Sequence, residues 1–235
     1  MIFPLITYYM PSSEALTMPK IETVLFDLDG TLLDTAPDMT AALNCLRRER
    51  SMADLPLADV RPLVGQGVKA LLKLGFNVDD QHRDYAHMLH QYFTAYQNCF
   101  TSSTALFQGM LPVLDHLEAR NIPWGIVTNK PTRFTTSLLD ALDLTRRSGC
   151  TICGDTLSLR KPHPEPILHA CKLLMANPAT TVYIGDAITD MMASKAAGTF
   201  SLAALYGYIG AEEDPYSWQA DGYINSPSEI ISWLE

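Results

Sequence analysis

Two aspartates separated by one residue, Asp27 and Asp29, are the strongest candidates for chemistry in this chain. Side chains in an extended segment alternate with a period of two, so both carboxylates are predicted to project to the same side. Such a pair is unfavourable unless a cation neutralises it or one carboxyl keeps its proton. A nucleophilic Asp27 beside an acidic Asp29 would suit phosphate chemistry, whereas an ordinary Asp-rich turn is the alternative interpretation.

Three further polar residues would complete a site for phosphate. Thr128 could hydrogen-bond a phosphoryl oxygen through its hydroxyl or its backbone N–H, and Asn129 is a further polar group beside it. Lys161 would supply a cation that holds phosphate next to the nucleophile. Each residue alone is explained equally well by a surface or capping role. Together with the aspartates, they match the charges that phosphoryl transfer requires.

Asp186 and Asp190 form a second acidic pair. Hard carboxylate oxygens suit Mg²⁺, which keeps several waters and uses few protein carboxylates. We expect Asp186 to be the direct ligand because it lies nearer the end of a predicted strand. Asp190 is expected in the outer shell of the metal or as a residue that orients the loop. Its alternative role is a negative charge at a helix N-terminus.

These polar groups follow apolar, strand-forming segments at residues 21–26, 124–127 and 181–184. Helical patterns separate the segments, and this alternation indicates an α/β fold with a parallel, Rossmann-like sheet. Ligands of open parallel sheets bind outside the carboxyl ends of the strands. The three polar clusters are therefore predicted to converge in space.

Strand signals are lost between residues 37 and 106, which we predict to be an inserted α-helical cap. The core would then comprise residues 20–36 and 107–235, after an N-terminal extension at residues 1–19. Gly65 and Gly67 could let the backbone approach a substrate while Gln66 reaches its polar part, or they could form a plain interhelical turn. One helical face carries an apolar stripe, which is more typical of core packing than of a cofactor site: Tyr85, Met88, Leu89, Tyr92, Phe93 and Tyr96.

Composition limits the classes of partner. The net charge of −9 argues against sequence-independent nucleic-acid binding, which needs Lys and Arg. No apolar run reaches the roughly 20 residues that span a bilayer, so no membrane association is expected. An odd count of five cysteines does not indicate a disulfide scaffold and favours a reducing cytoplasm. The chain is expected to act on a small phosphorylated metabolite, as a monomer or homodimer.

The order of these motifs resembles the four signatures of the haloacid dehalogenase-like hydrolase superfamily. The motifs are Asp27-Leu28-Asp29-Gly30-Thr31, then Thr128, Lys161, and Gly185-Asp186 through Asp190. The resemblance implies Mg²⁺ held by Asp27, the backbone carbonyl of Asp29, and Asp186. It also implies an aspartyl-phosphate on Asp27, with first-loop residues such as Gly30 and Thr31 binding the phosphate.

Within the superfamily, residues 63–67 and 161–166 resemble the phosphoglycolate phosphatase group. Residues 107–110, 124–131 and 206–209 are similar to bacterial N-acetylmuramic acid 6-phosphate phosphatases. The expected substrates are therefore 2-phosphoglycolate or N-acetylmuramic acid 6-phosphate. Ala187 departs from the serine often found after the fourth-motif aspartate. A phosphosugar mutase and a non-catalytic phosphate-sensing module are the alternatives, and a dehalogenase is disfavoured because halide departure does not need Asp29.

Overall fold

The computed structural model describes residues 20–234 of this 235-residue chain, so the predicted extension at residues 1–19 lies outside the described part. Six parallel strands form the central sheet in the order β5-β4-β1-β6-β7-β8. A short antiparallel pair, β2 with β3, lies apart from it. The strands are β1 (Thr23–Phe26), β2 (Leu33–Asp34), β3 (Ala105–Leu106), β4 (Trp124–Val127), β5 (Thr151–Ile152), β6 (Thr181–Gly185), β7 (Phe200–Ala204) and β8 (Gly222–Ile224).

Helices cover both faces of the sheet, which is why its three central strands, β1, β4 and β6, are buried along their whole length. Successive residues of β1 point to opposite faces. Phe26 packs in the cluster that also contains Val113 of α5 (Met110–Ala119) and Leu138 of α6 (Thr132–Ala141). Leu25 packs in the cluster formed with α7 (Glu165–Leu173) and α8 (Ile188–Ala197). The predicted α/β class with a Rossmann-like parallel sheet is therefore confirmed.

A helical segment lies between β2 and β3. Its helices are α1 (Ala36–Glu49), α2 (Leu57–Val60), a 3₁₀ helix (Arg61–Gln66), α3 (Val68–Phe76) and α4 (Tyr85–Gln97). They share one apolar cluster, to which α4 contributes the buried side chains of Met88, Tyr92 and Tyr96. Half of the predicted stripe is therefore core, as expected. The division at residues 37 and 106 remains a prediction.

The strand register places the polar residues at one edge of the sheet. Phe26 is paired with Ile126 of β4 on one side and with Ile184 of β6 on the other. The three central strands therefore end at the same level, and the chain leaves each of them for a polar loop. Within residues 20–234, no helix is long and apolar enough to cross a membrane.

Candidate active site

A cavity of about 340 Å³ opens at the carboxyl ends of the central strands. Asp27 follows β1, Thr128 follows β4, and Asp186 follows β6. The structure thus brings together groups that lie far apart in the sequence. Nine of the predicted site residues line this cavity: Asp27, Asp29, Gly65, Gly67, Thr128, Asn129, Lys161, Asp186 and Asp190.

Lys161 lies at the buried end of the cavity between two carboxylates. Its Nζ is 2.8 Å from Asp27 Oδ1 and 2.7 Å from Asp190 Oδ1. It also donates a hydrogen bond of 2.7 Å to the hydroxyl of Tyr183. Burial opposes the ammonium charge, but the two carboxylates outweigh burial and raise the pKa of Lys161. Lys161 therefore stays cationic next to Asp27.

Asp190 has three partners that fix its position, namely Lys161, the hydroxyl of Tyr183 and the backbone of Ala187, and its expected place in the outer shell of a metal remains a prediction. Besides the ion pair with Lys161, its Oδ2 accepts the backbone N–H of Ala187 at 3.1 Å, at the N-terminus of α8. A carboxylate there is favourable because the first backbone N–H groups of a helix lack partners within the helix. In the structure, Asp190 therefore anchors Lys161 and caps the N-terminus of α8.

The cluster carries more negative charge than the lysine can balance. Asp27, Asp186 and Asp190 are buried, and they offer carboxylate oxygens within 4.8 Å of one another. Burial, opposed by Lys161, raises the pKa of Asp27 to about 7. Burial and the neighbouring Asp27 raise the pKa of Asp186 well above its usual range. Within residues 20–234, no lysine or arginine forms an ion pair with Asp186. The three aspartates could therefore bind a metal ion.

Asp186 is held by the loop that follows β1 and by the loop that follows β7. Its Oδ1 accepts the hydroxyl of Thr31 at 3.1 Å, and its Oδ2 accepts the backbone N–H of Tyr208 at 2.7 Å. Gly30 has a φ of +85°, and a Cβ there would lie 2.0 Å from Asp186 Oδ2. Neither Gly30 nor Thr31 lines the cavity. In the structure, Thr31 donates a hydrogen bond to Asp186 and Gly30 leaves room for its carboxylate. The phosphate contacts expected of both residues remain predictions.

Asp29 has its own partners, separate from the cluster around Lys161. The hydroxyl of Thr35 donates to Asp29 Oδ1 at 2.6 Å. Lys130 Nζ lies 3.0 Å from Oδ1 and 3.2 Å from Oδ2. We did not single out Lys130 from the sequence. The available signal was its position two residues after Thr128, on the same loop.

Two residues of the loop after β4 form contacts that the sequence did not indicate. The backbone N–H of Thr128 donates to the carbonyl of Ile152 at 2.8 Å, so sheet pairing uses it and only the hydroxyl is left for a phosphate. The side-chain amide of Asn129 donates to the carbonyl of Lys161 at 3.0 Å, and its oxygen accepts the N–H of Lys161 at 3.1 Å. Asn129 therefore holds the lysine loop, and because it also lines the cavity, its expected contact with substrate remains a prediction.

Gln66 was expected to reach the polar part of a substrate, but the structure places it elsewhere. Its amide donates to Glu213 at 3.0 Å, and Gln66 does not line the cavity although both flanking glycines do. Most of the apolar wall of the cavity comes from the helical segment and includes side chains of the predicted stripe, and Phe134 of α6 adds to it. The helical segment contributes Met39, Val64, Val68, Tyr85, Leu89, Tyr92, Phe93 and Tyr96.

A Rossmann-like sheet with this carboxylate and lysine cluster at its edge is the arrangement of a haloacid dehalogenase-like hydrolase. The model of that family, described as "Haloacid dehalogenase-like hydrolase", matches residues 24–204. The chain belongs to this family.

The relatives define the group within the family. The chain is 36% identical to the N-acetylmuramic acid 6-phosphate phosphatase of Pseudomonas putida, over 90% of this chain and 95% of that one. It is 40% identical to the phosphoglycolate phosphatase of Xanthomonas campestris, over 88% and 93%. A solved structure of a predicted phosphoglycolate phosphatase from Haemophilus somnus superposes with a TM-score of 0.80 at 21% identity, covering 93% of this chain and 100% of that one. The expected enzyme class, a phosphatase, is confirmed.

Proposed function

We propose that this chain is a magnesium-dependent phosphomonoester hydrolase that forms an aspartyl-phosphate on Asp27. The observation that carries this proposal is the separation of two carboxylates in one cavity. Asp27 is paired with Lys161, whereas Asp29 is held by Thr35 and Lys130. A nucleophile and an acid or base must act on the same substrate from different positions, and these separate partners support that division of roles.

The donor set supports magnesium as the cofactor. Asp27, Asp186 and the backbone carbonyl of Asp29 would hold it, since hard oxygen ligands suit this ion. The raised pKa values of Asp27 and Asp186 indicate that the carboxylates favour a nearby positive charge. When bound, magnesium would supply that charge and offset the negative charge of a phosphate.

The residues of the chain account for both halves of the reaction. An oxygen of Asp27 attacks phosphorus, and the bond to the leaving oxygen breaks as Asp29 gives that oxygen a proton. Water then attacks the aspartyl-phosphate, Asp29 takes a proton from the water, and the bond between Asp27 and phosphorus breaks. Lys161 and the hydroxyl of Thr128 would hold the phosphoryl oxygens during both steps.

The size and lining of the cavity favour the larger of the two expected substrates. Cavities of about 300 Å³ and more are typical of ligands much larger than a two-carbon ester. This cavity has about 340 Å³, with Leu89, Phe93 and Val64 on its apolar wall. An N-acetylated sugar phosphate would cover that wall, whereas 2-phosphoglycolate would leave it exposed to water. We therefore propose N-acetylmuramic acid 6-phosphate, the substrate in the name of the Pseudomonas putida relative, ahead of 2-phosphoglycolate.

The proposal is tested by phosphate release from the two compounds in parallel, with magnesium and with a chelator. Asp27→Asn is the matched control because it keeps the shape of the side chain and removes the nucleophile. Magnesium-dependent release by the parent, and none by a folded Asp27→Asn variant, is expected. Full activity in that variant would contradict the nucleophile assignment. Recovery of an isomerised ester in place of free phosphate would indicate a mutase.

A further inference from the structure

Lys130 is a buried lysine that the mechanism above leaves without a chemical role. Its side chain is 6% exposed, and its Nζ contacts both oxygens of Asp29, at 3.0 and 3.2 Å. Burying an ammonium group is costly unless it is paired. The lysine therefore stays buried because Asp29 is its partner, and the position of each group depends on the other.

The lysine is fixed from both of its ends. Its backbone N–H donates to the hydroxyl oxygen of Thr128 at 3.1 Å, and its carbonyl accepts the N–H of Gly154 at 3.0 Å. At the far end of the side chain, Nζ lies 4.9 Å from the centre of the Tyr96 ring, within the range of a cation–π contact. Tyr96 belongs to α4, so the ammonium lies between the helical segment and the sheet edge.

Thr35 alone cannot fix the direction of the Asp29 carboxylate. Its hydroxyl reaches a single oxygen, Oδ1, which leaves rotation about that contact free. Lys130 adds contacts to both oxygens, and together the two residues define the plane of the carboxylate. A misplaced acid loses much of its effect because proton transfer requires hydrogen-bond distance to the leaving oxygen.

We propose that Lys130 is a positioning residue for Asp29, which keeps the acid aimed at the leaving oxygen of the substrate. This inference rests on the proposed function, in which Asp29 is the general acid. The competing possibility is that Lys130 binds the phosphate directly. That role would help every phosphate ester equally, whereas positioning of the acid would help only esters whose leaving group needs a proton.

The test compares two substrates of similar size in the magnesium-loaded enzyme. Benzyl phosphate releases an alkoxide that must be protonated, and p-nitrophenyl phosphate releases a phenoxide that need not be. The ratio kcat/KM reports the path from free enzyme and substrate to the transition state, here for the cleavage of the ester bond. We expect Lys130→Met to lower kcat/KM for benzyl phosphate about 10- to 100-fold and that for p-nitrophenyl phosphate less than about threefold.

Three comparisons make the result decisive. Lys73→Met is the matched control, since Lys73 pairs with Asp79 at 3.0 Å on the surface and does not line the cavity; it should leave both substrates unaffected. Lys130→Gln is a second variant in case Lys130→Met does not fold, and it should show the same selective loss. Lys130→Arg keeps the charge and should restore part of the benzyl phosphate activity.

Asp29→Asn separates this inference from the function on which it rests. If Asp29→Asn loses benzyl phosphate activity selectively but Lys130→Met or Lys130→Gln lowers both substrates equally, Lys130 does not position the acid and the inference is overturned. If Asp29→Asn shows no selectivity, Asp29 is not the acid and the proposed mechanism fails first. Selective loss in both the Asp29 and Lys130 variants, with an unaffected Lys73→Met, supports the inference.

Discussion

Tyr208 holds Asp186 through its main chain, with a hydrogen bond of 2.7 Å from the backbone N–H to Oδ2. The side chain of the same tyrosine acts elsewhere. Its hydroxyl donates to Asp34 Oδ1 at 2.8 Å and accepts the N–H of Ala36 at 2.9 Å, at the start of α1. Asp34 in turn accepts two hydrogen bonds from Arg61, at 2.9 and 2.8 Å. One residue therefore connects the carboxylate cluster to the beginning of the helical segment.

Tyr208→Phe should destabilise the protein without changing its response to magnesium. The variant leaves the buried N–H of Ala36 without its acceptor, which costs about 1–3 kcal/mol in the free energy of unfolding. The contact to Asp186 survives because a backbone group makes it. Urea denaturation and magnesium titration of activity measure the two effects. An unchanged unfolding free energy with a weakened magnesium response would contradict this division.

Gly30→Ala should remove most of the activity, and Gly198→Ala is its matched control. Both glycines have a positive φ, +85° and +73°, and an alanine there costs about 1–2 kcal/mol. Only Gly30 is also crowded, because a Cβ would lie 2.0 Å from Asp186 Oδ2, whereas within residues 20–234 no atom outside the adjoining chain and helix backbone lies within 4 Å of one at Gly198. Gly30→Ala should therefore lose more stability than Gly198→Ala and lower turnover at least about tenfold. Equal losses of stability and activity in the two variants would show that the crowding is unimportant.

Asp186→Asn should separate the stability of the metal-free protein from its stabilisation by magnesium. A ligand that binds the folded state raises the unfolding midpoint, so magnesium should stabilise the parent. The variant should gain little from magnesium. In chelator, we expect it to be at least as stable as the parent, because an amide replaces a buried carboxylate that has no cationic partner among the described residues. Thermal unfolding with and without magnesium measures both the stability in chelator and the gain in stability from magnesium. Equal magnesium stabilisation of variant and parent would exclude Asp186 as a ligand.

Phe93→Ala should weaken recognition of the leaving group of the substrate and leave recognition of the phosphate unchanged. Phe93 lies on the apolar wall and stacks on Phe134 with ring centres 5.3 Å apart. Loss of this surface should lower kcat/KM for N-acetylmuramic acid 6-phosphate about tenfold or more, as expected for lost apolar contact in a pocket. The value for 2-phosphoglycolate should change little. Phe76→Ala, another half-buried phenylalanine of the helical segment, lies outside the cavity and serves as control. Equal losses for both substrates would argue against the wall as a determinant of specificity.

The strand ends were predictable because burial and polarity change abruptly along the sequence there. Asp27, Thr128 and Asp186 are each the first polar residues after an apolar run, and parallel pairing necessarily brings such positions to one edge. The α/β class and the helical nature of residues 36–97 follow from the same periodicities.

The partners of individual side chains could not be predicted in this way. Lys130 and Asp29 are 101 residues apart, and their contact depends on how two loops approach each other. Gln66 points to Glu213 because of the direction in which a 3₁₀ turn presents it, and a pair of flanking glycines carries no signal about that direction. Local patterns fix which groups reach the sheet edge, whereas packing decides which of them touch.

The side-chain amide of Asn129 forms two hydrogen bonds with the main chain of Lys161, one as donor and one as acceptor. One donor and one acceptor of this amide face the carbonyl and the N–H of Lys161, so the side chain ties the loop after β4 to the lysine loop. Aspartate could not donate in this arrangement, and serine would be too short to offer both groups. Because only main-chain atoms of residue 161 take part, the contact would survive any side chain at that position. Replacing Lys161 should therefore remove the cation beside Asp27 without breaking this contact with Asn129.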